Sequence, residues 1–435
     1  MDYFAYKNGK LFAEAVPAEK IAAKVGTPTY VYSRATFETH LQKIQQAYSG
    51  LETMICYSVK ACSNINILRF LARSGIGFDI VSGGELYRAL LAGADPAKIV
   101  YAGVGKTDPE IIQALKAGIG HFNIESEEEL ENLIRLTKQT KRKLKTKNSK
   151  LKTPHAALRI NPDVDPKTHI YTTTGTRETK FGVDIERAGK VFADYGKNKT
   201  VRLCAVHIHL GSAGRTVAPY VEAIQKALTL IEQLRSDGFT IEALDIGGGY
   251  GADYITAQAP TAADYAAVIV PLLKDKNLRL ILEPGASIAA NAAVLLTKVL
   301  YVKTSGSKKF IIVDAGMNDL IRPPLYGAFH FIWPAKVNKE FVPPKRDRDL
   351  QMPGSEIVDI VGPICESADF FAKDRSLPPV RRGDLIAVFS AGAYGFSMSS
   401  NYNSRRRPPE VLVTNNKFKI IRKRESYKNL TALEV

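Results

Sequence analysis

The sequence predicts an α/β protein made of an eight-stranded parallel α/β barrel and a second, β-rich domain. Between residues 54 and 282, eight short apolar segments alternate with amphipathic ones, which is the pattern of repeated strand-helix units. A chain of 435 residues also exceeds what one hydrophobic core usually supports, which indicates two domains. After about residue 291, strand-like segments separated by proline and glycine replace the helical periodicity, which indicates the β-rich domain.

The barrel is predicted from apolar segments that are short enough to be strands buried on both faces of a parallel sheet. They are Met54–Val59, Gly77–Val81, Ile99–Tyr101, His121–Ile124, Ala156–Ile160, Cys204–Leu210, Ala243–Ile246 and Arg279–Leu282. The alternative is an open, doubly wound sheet. The even number of strands and the absence of a Gly-x-Gly-x-x-Gly fingerprint after the first of them favour the closed, TIM-like barrel.

These patterns divide the chain into three regions. We expect residues 1–30 to form a β-hairpin that turns at Asn8-Gly9, with a linker, and to join the β-rich domain. Residues 31–290 are predicted to form the barrel. Residues 291–435 are predicted to form the β-rich domain, with a barrel-like or sandwich-like architecture.

The positive charge of the chain is concentrated in one insertion, which falls between the fourth helix and fifth strand of the barrel. The chain has 60 Lys and Arg against 44 Asp and Glu, and residues 138–152 contain eight Lys or Arg and no acid. Such a run is typical of a solvated insertion. Attraction of anions or nucleic acid is the alternative, which the lack of interleaved aromatic residues disfavours.

The remaining composition indicates a reduced, cytoplasmic protein. The cysteines have neither disulfide-framework nor metal-ligand spacing; they are Cys56, Cys62, Cys204 and Cys365. No apolar run reaches membrane-spanning length, and the N-terminus has no signal-peptide pattern, so we expect no membrane partner.

Polar residues and glycines cluster at the carboxyl ends of the predicted strands. In barrel enzymes this is the face where the loops build the active site. In chain order they are Lys60, Asp79, Ser82, Gly103, Glu125, Arg159, Asn161, His207, His209, Gly247, Gly248, Gly249 and Glu283. Their placement predicts an active site at that rim.

Three of these features together indicate a pyridoxal phosphate site. Lys60 is either a snorkelling lysine whose amine reaches water or a Schiff-base lysine. The glycine triplet at 247–249 is either a tight turn or a phosphate cradle. Glu283 either pairs with a nearby base or holds a protonated heterocyclic nitrogen. Pyridoxal phosphate requires the second function from each of the three.

The histidines of the sixth strand have two interpretations. His209 is either a satisfied core histidine or a side chain that stacks on the cofactor ring. His207 and His209 lie two residues apart on one face of the strand, which would suit a metal. No third ligand has evident spacing, so we predict no metal.

Longer motifs carry a family resemblance that covers nearly the whole chain. They are Tyr-Ser-Val-Lys-Ala at 57–61, Phe-Asp-Ile-Val-Ser-Gly-Gly-Glu-Leu-Tyr-Arg-Ala at 78–89, Lys-Phe-Gly at 180–182, His-Ile-His-Leu-Gly-Ser at 207–212, Asp-Ile-Gly-Gly-Gly at 245–249, Glu-Pro-Gly at 283–285, Arg-Pro-Pro-Leu-Tyr at 322–326, Cys-Glu-Ser-Ala-Asp at 365–369 and the segment 394–407. In these motifs the chain resembles the pyridoxal-phosphate-dependent decarboxylases of the alanine-racemase-like fold class. The branch that it resembles most converts meso-2,6-diaminopimelate to L-lysine and carbon dioxide, the last step of lysine biosynthesis. A sister decarboxylase of arginine, ornithine or carboxynorspermidine, or a non-catalytic homologue, is the alternative.

The resemblance implies cofactor contacts for one set of residues: Lys60, His209, Ser212, Gly248, Gly249, Glu283 and Tyr394. Within this set Lys60 is expected to form the Schiff base, His209 to stack on the ring and Glu283 to pair with the pyridinium nitrogen. The other members of the set are expected to contact the phosphate.

A second set is implied in binding the diamino dicarboxylate substrate. Arg322 and Tyr326, with Tyr394, are expected to bind a substrate carboxylate. Cys365 and Glu366 are expected to reach the site from the second subunit of a homodimer. There the cysteine would protonate the carbanion and the glutamate would hold the distal amino group.

The chain departs from the family pattern at three positions. Ala286 stands where the family usually has an arginine after Glu-Pro-Gly, which removes a guanidinium from the region of the phosphate and substrate carboxylate. Lys180 or another base could compensate for it. Cys62 and Arg406 stand where asparagine and proline are usual, and nothing in the sequence explains either change.

Overall fold

The structure, a computed structural model, describes residues 2–145, 151–165, 179–211 and 216–435. The chain forms two compact units. The barrel unit comprises Lys43–Gly251 and Ala259–Gly285, and the β unit comprises Met1–Gln42, Ala252–Gln258 and Ala286–Val435.

The barrel unit contains the predicted closed barrel of eight parallel strands. They are Thr53–Ser58, Gly77–Ile80, Ile99–Tyr101, His121–Ile124, His155–Asn161, Arg202–His207, Ala243–Asp245 and Arg279–Leu282. Each pairs in parallel with its neighbour in sequence, and the eighth strand pairs with the first through Ile281 and Met54. The sheet closes because these strands are apolar and buried on both faces, which leaves the barrel without an open edge. A two-residue strand, Val183–Asp184, pairs alongside the fifth strand.

Helices follow the first seven of these strands. They are Ile65–Arg73, Gly83–Leu91, Asp108–Ala117, Glu127–Lys145, Ile185–Tyr195, Ala218–Ser236 and Ala262–Leu273. The fourth helix continues through Lys145, so the first part of the basic insertion is helical. Lysine, arginine and leucine are good helix formers, which explains the extension. Residues 146–150 of the insertion lie outside the described residues.

The interior of the barrel is filled by small and medium apolar side chains. One buried cluster consists of Cys56, Val100, Ala157, Ala205, Ala243 and Ile281. Its six members come from six different barrel strands. The polar residues at the carboxyl ends of the strands therefore follow strands whose side chains form an apolar core.

The β unit is built mainly on a nine-stranded sheet. Its strands are Thr29–Ser33, Ala293–Ser305, Lys308–Val313, Ile332–Pro334, Glu356–Val361, Phe370–Leu377, Leu385–Val388, Glu410–Thr414 and Lys417–Arg422. Thr29–Ser33 pairs antiparallel with Ala293–Ser305 on one side and parallel with Glu410–Thr414 on the other. An N-terminal strand is therefore an inner strand of a sheet whose other members come from the C-terminal half.

The N-terminal hairpin belongs to the β unit but forms a separate three-stranded sheet. Its strands are Phe4–Lys7, Lys10–Ala13 and Val16–Pro17. The turn residues Asn8 and Gly9 have φ of 49° and 72°, as a type I′ hairpin turn requires.

The helices of the β unit are short, apart from two near the N-terminus. They are Ala18–Val25, Arg34–Ala47, Ala286–Ala289, Arg322–Tyr326 and Tyr427–Leu430; the second of these begins in the β unit and ends in the barrel unit. Across the described residues, no helix has the length and apolarity needed to cross a membrane.

Candidate active site

Lys60 lies just beyond the end of the first barrel strand and contacts a buried carboxylate. Its Nζ donates to Oδ2 of Asp79 at 2.9 Å, and the same oxygen accepts from the Ser58 hydroxyl at 2.6 Å. The Lys60 side chain is 34% exposed, whereas that of Asp79 is completely buried. The amine is therefore held at the rim by a fixed acceptor instead of extending freely into water.

Glu283 and Asp245 form a buried pair of acids on the same rim. The Asn123 amide nitrogen donates to Oε1 of Glu283 at 3.0 Å and to Oδ2 of Asp245 at 3.2 Å. Burial raises the pKa of Glu283 well above its usual range, and the neighbouring Asp245 and Asp79 carboxylates raise it further. Burial also raises the pKa of Asp245 to about 7. The pair therefore retains a proton at neutral pH, since two adjacent buried carboxyls resist double ionisation.

His207 and His209 project beside Glu283 from the end of the sixth strand. Their ring nitrogens Nε2 and Nδ1 lie 3.7 Å and 4.0 Å from Oε2 of Glu283. Burial, and then the Arg159 charge, lower the pKa of both histidines well below the ordinary value. Both rings are therefore neutral, and Nδ1 of His209 accepts a long hydrogen bond from the Gly248 N–H at 3.5 Å.

Glu283 is also the third potential metal ligand that the spacing of the two histidines did not reveal. The ligand atoms of His207, His209 and Glu283 lie within 4.8 Å of one another. The glutamate is distant in sequence and reaches them only because the barrel closes. The absence of a metal here stays a prediction.

The glycine triplet forms a crowded turn that admits no side chain. A Cβ on Gly248 would lie 1.6 Å from the carbonyl oxygen of Glu283. A Cβ on Gly249 would lie 1.4 Å from the Tyr220 hydroxyl and 2.4 Å from the Gly211 carbonyl. Only glycine allows the loops after the sixth, seventh and eighth strands to approach this closely, and such a bare backbone is what a phosphate cradle needs.

The rim residues fit pyridoxal phosphate on three counts. The buried ring nitrogens of His207 have no hydrogen-bond partner within the described part of the chain, which is unusual for buried polar atoms and marks a site completed by a ligand. The glycine backbone can take a phosphate, and Lys60 can take an aldehyde. Ser212, the remaining residue predicted to contact phosphate on this rim, lies outside the described residues.

Arg322, which begins a short helix of the β unit, has a donor available for an anion. Its Nη1 lies 3.1 Å from Nε2 of His330, and its guanidinium stacks over the Tyr254 ring at 4.7 Å. Within the described residues, Nε of Arg322 and the Tyr254 hydroxyl are buried without hydrogen-bond partners. A carboxylate is the kind of group that accepts from such donors, and the substrate-binding role of Arg322 stays a prediction.

His330 fixes this guanidinium and was missed by the sequence analysis. Burial and the Arg322 charge lower the pKa of His330 to about 3, so the ring is neutral. Its Nδ1 lies 2.9 Å from the Phe389 carbonyl and must be the protonated nitrogen, which leaves Nε2 to accept from Arg322. Tyr254 was also missed, because a lone tyrosine after a glycine-rich turn has no distinctive spacing.

The remaining predicted residues also lie in the β unit. Tyr326 ends the short helix that Arg322 begins, and Tyr394 lies in a loop with a left-handed φ of 55°. Cys365 is exposed, and the Glu366 carboxylate accepts a short hydrogen bond from the Tyr402 hydroxyl. The structure thus brings Lys60, His209, Gly248, Gly249 and Glu283 together on the barrel rim. It places Arg322, Tyr326, Cys365, Glu366 and Tyr394 in the β unit.

Ala286, the departure from the family pattern, is the first residue of the helix Ala286–Ala289 and is 9% exposed. Its methyl group occupies a buried position, which explains why a small apolar side chain is stable there.

The closed barrel with a rim lysine, a bare glycine turn and a buried acid pair defines a barrel enzyme that uses pyridoxal phosphate. Comparison with known proteins agrees. Residues 34–290 match the family described as "Pyridoxal-dependent decarboxylase, pyridoxal binding domain". The chain is 46% identical to diaminopimelate decarboxylase of Pseudomonas aeruginosa, over 100% of this chain and 99% of that protein.

Two solved structures extend the similarity to the whole fold. Diaminopimelate decarboxylase of M. jannaschii in complex with L-lysine is 38% identical, with a TM-score of 0.90 over 100% of this chain and 98% of that chain. The Helicobacter pylori enzyme complexed with L-lysine is 39% identical, with a TM-score of 0.87 over 96% of this chain and 98% of that chain. The chain belongs to the pyridoxal-dependent decarboxylases, in the group of diaminopimelate decarboxylases.

Proposed function

We propose that this protein decarboxylates meso-2,6-diaminopimelate to L-lysine and carbon dioxide, the last step of lysine biosynthesis. The observation that carries the proposal is the rim itself. It places Lys60, a glycine cradle and a buried acid on adjoining strand ends, in a chain whose relatives of the same fold bind L-lysine, the expected product.

Pyridoxal phosphate, when bound, accepts the electron pair that remains on the substrate as carbon dioxide departs. On the chain, Lys60 would provide the amine that joins the aldehyde, and Asp79 fixes the position of that amine. Gly248 and Gly249 would hold the phosphate by their backbone N–H groups, and the family resemblance adds Ser212 and Tyr394 to the phosphate contacts.

Glu283 would keep the ring nitrogen of the cofactor protonated. The shared proton of the Glu283 and Asp245 pair can be given to a heterocyclic nitrogen, and the carboxylate that remains then stabilises the pyridinium. Asn123 holds both acids in register, as its two hydrogen bonds of 3.0 Å and 3.2 Å indicate. The neutral His209 ring is available to stack on the cofactor face without adding a competing positive charge.

The substrate carboxylate that is retained would bind to Arg322, Tyr326 and Tyr394. Nε of Arg322 and the hydroxyl of Tyr254, which have no partner among the described residues, support the proposal because they are donors to which a carboxylate can bind. Retention of this carboxylate is what distinguishes a diamino dicarboxylate from a simple diamino acid.

Cys365 and Glu366 would act across a subunit interface. Both lie on the β unit, where Cys365 is exposed and able to meet a partner. We propose a homodimer in which Cys365 protonates the carbanion and Glu366 binds the distal ammonium of the substrate in the other subunit's site. The four free cysteines support a reducing, cytoplasmic location.

A panel assay tests the substrate assignment. Carbon dioxide release should be measured for diaminopimelate, arginine, ornithine, lysine and carboxynorspermidine with the cofactor-loaded protein. We expect diaminopimelate to be preferred by at least tenfold in kcat/KM, since a site that pairs a carboxylate rejects analogues lacking it. Equal or greater release from arginine or ornithine would assign the sister activity, and no release from any member of the panel would identify a non-catalytic homologue.

A further inference from the structure

A cluster of three metal-ligand side chains lies at the amino ends of the barrel strands, opposite the rim that holds Lys60. His121 is the first residue of the fourth strand and His155 the first of the fifth. Cys204 lies near the start of the sixth strand, at an irregularity in its pairing with the fifth. Parallel register brings these strand starts side by side, and His121 and His155 are direct cross-strand partners.

The geometry of the cluster is close to that of a bound ion. The donor atoms of His121, His155 and Cys204 lie within 4.8 Å of one another, and the two imidazole rings are 5.6 Å apart between centroids. Zinc held by nitrogen at about 2.1 Å and sulfur at about 2.3 Å keeps its ligands roughly 3.5 Å apart in a tetrahedron. Small side-chain rotations that move the donor atoms by about 1 Å would bring them to this tetrahedral spacing.

An unsatisfied buried nitrogen provides a second, independent indication of a ligand. His121 is 7% exposed, and its Nδ1 has no hydrogen-bond partner in the described portions of the chain. Buried polar atoms rarely stay unpaired.

The two arginines near the cluster are each paired with an acid, Arg202 with Glu242 and Arg279 with Glu52. Two neutral imidazoles and one thiolate leave a divalent ion with a single net positive charge. Glu242 is adjacent: its N–H donates to the Cys204 carbonyl at 2.8 Å, and its carboxylate pairs with Arg202. The Cys204 thiol would release its proton to solvent as the metal binds.

We propose that His121, His155 and Cys204 bind a divalent, thiophilic metal ion of the zinc type at the end of the barrel remote from the cofactor. Imidazole and thiolate together select such ions over magnesium or calcium. His155, which is half-buried, leaves the fourth position accessible to water. The ion would clamp three neighbouring strands and would take no part in decarboxylation.

Zinc binding by the holoenzyme tests the proposal. Cofactor-loaded protein should be stripped with a chelator, incubated with zinc chloride, desalted and analysed for zinc per chain, with zinc-edge X-ray absorption to identify the ligands. We expect about one zinc per chain with one sulfur and two imidazoles in its shell. Absence of retained zinc, or a shell without sulfur, would overturn the proposal.

Variants identify the site and separate it from His207, His209 and Glu283. Cys204→Ser and His155→Gln should each weaken zinc binding by at least about tenfold while decarboxylation stays near the wild-type rate. His155 is the more exposed of the two, so its variant keeps the test valid if Cys204→Ser folds poorly. Cys56→Ser, a change at a buried cysteine outside the cluster, is the matched control. Unchanged zinc affinity in both cluster variants, or loss of zinc in His209→Asn instead, would refute the assignment.

Discussion

The Nζ atom of Lys60 lies 2.9 Å from Oδ2 of Asp79, a carboxylate oxygen that is completely shielded from solvent. The contact joins the ends of the first two barrel strands and directs the lysine along the rim. Because Ser58 donates to the same oxygen, the carboxylate cannot turn away from the amine without losing a second hydrogen bond. A flexible side chain is thereby held in one position before any ligand arrives.

Replacement of Lys60 separates its charge from its nucleophilicity. Lys60→Arg keeps a cation opposite Asp79 but cannot form a Schiff base, and Lys60→Ala removes both properties. We expect both variants to lose the visible absorbance of the bound cofactor and at least about a thousandfold in kcat. Lys60→Arg should unfold at nearly the wild-type temperature, since the ion pair persists. Retention of absorbance and activity in either variant would contradict the role of Lys60.

Substitution in the acid pair tests the control of the ring proton. Glu283→Gln removes the carboxylate proposed to face the pyridinium nitrogen, so kcat should fall by about a hundredfold or more with the cofactor still bound. Asp245→Asn, the matched change in the partner acid, should reduce kcat less, because Glu283 keeps its carboxylate. Carbon dioxide release at saturating cofactor measures kcat for both variants. If Glu283→Gln loses less kcat than Asp245→Asn, then Asp245, and not Glu283, is the acid that faces the ring nitrogen.

The same pair should make the cofactor-free protein less stable as pH rises. Burial raises the pKa of Asp245 to about 7, so the folded state binds more protons than the unfolded state between about pH 4 and pH 7. The free energy of unfolding contributed by this group is therefore full below pH 4 and declines towards pH 7. Urea denaturation across this range should show a flatter decline in Asp245→Asn. Parallel curves for the two proteins would contradict the buried, shared proton.

His330 should produce the opposite dependence on pH. Its pKa is lowered to about 3, whereas an unfolded histidine titrates near 6.5, so the unfolded state binds more protons between these values. Its contribution to stability is present above about pH 6.5 and is lost as pH falls. Between about pH 7 and about pH 5, His330→Gln should lose about 2 kcal/mol less unfolding free energy than the wild type. Equal losses by urea denaturation would exclude a neutral His330.

The anion site around Arg322 predicts effects on KM. Arg322→Lys keeps the positive charge but loses the paired N–H donors of the guanidinium. Tyr254→Phe removes only the unpartnered hydroxyl. Each variant should raise KM for diaminopimelate by about tenfold. His330→Gln should do so more mildly, because Gln can still accept from the guanidinium. Steady-state kinetics with a cofactor-saturated enzyme would check this. A fall in kcat without a change in KM would place these residues away from the carboxylate.

Mixed dimers test whether Cys365 and Glu366 act across subunits. Lys60→Ala and Glu366→Ala would each be nearly inactive alone, but a dimer of one chain of each kind would contain one site with both residues intact. Random mixing yields such dimers half of the time, so about a quarter of the wild-type activity should return. Mixtures of Lys60→Ala with Lys60→Arg are the control and should stay inactive. No recovery in the first mixture would place Glu366 in the same subunit's site.

The sequence was sufficient for the barrel because its signal is local. Each strand is a short apolar run followed by a helical period, and the polar residues at positions such as Lys60, His209 and Glu283 come directly after those runs. Closure of the barrel then brings these positions together without any further information.

Contacts between residues that are distant in sequence could not be predicted in this way. Asn123 is hydrogen-bonded to two acids, and His330 is hydrogen-bonded to Arg322. No local sequence pattern links the positions of these partners. The fourth helix extends through Lys145 because helix propensity continued past the point where the apolar stripe ended. Tertiary packing, which the sequence pattern does not encode locally, decided the contacts of Asn123 and His330.

The inner position of Thr29–Ser33 in the β sheet has a consequence for the order of assembly during synthesis. This strand is synthesised before every barrel strand, yet its two neighbours, Ala293–Ser305 and Glu410–Thr414, are synthesised after all of them. The sheet of the β unit therefore cannot form around Thr29–Ser33 until the barrel strands, the last of which ends at Leu282, have been synthesised. We therefore expect nascent chains to carry a finished barrel beside an N-terminal strand with both edges unpaired, which makes this strand the segment most in need of chaperone protection.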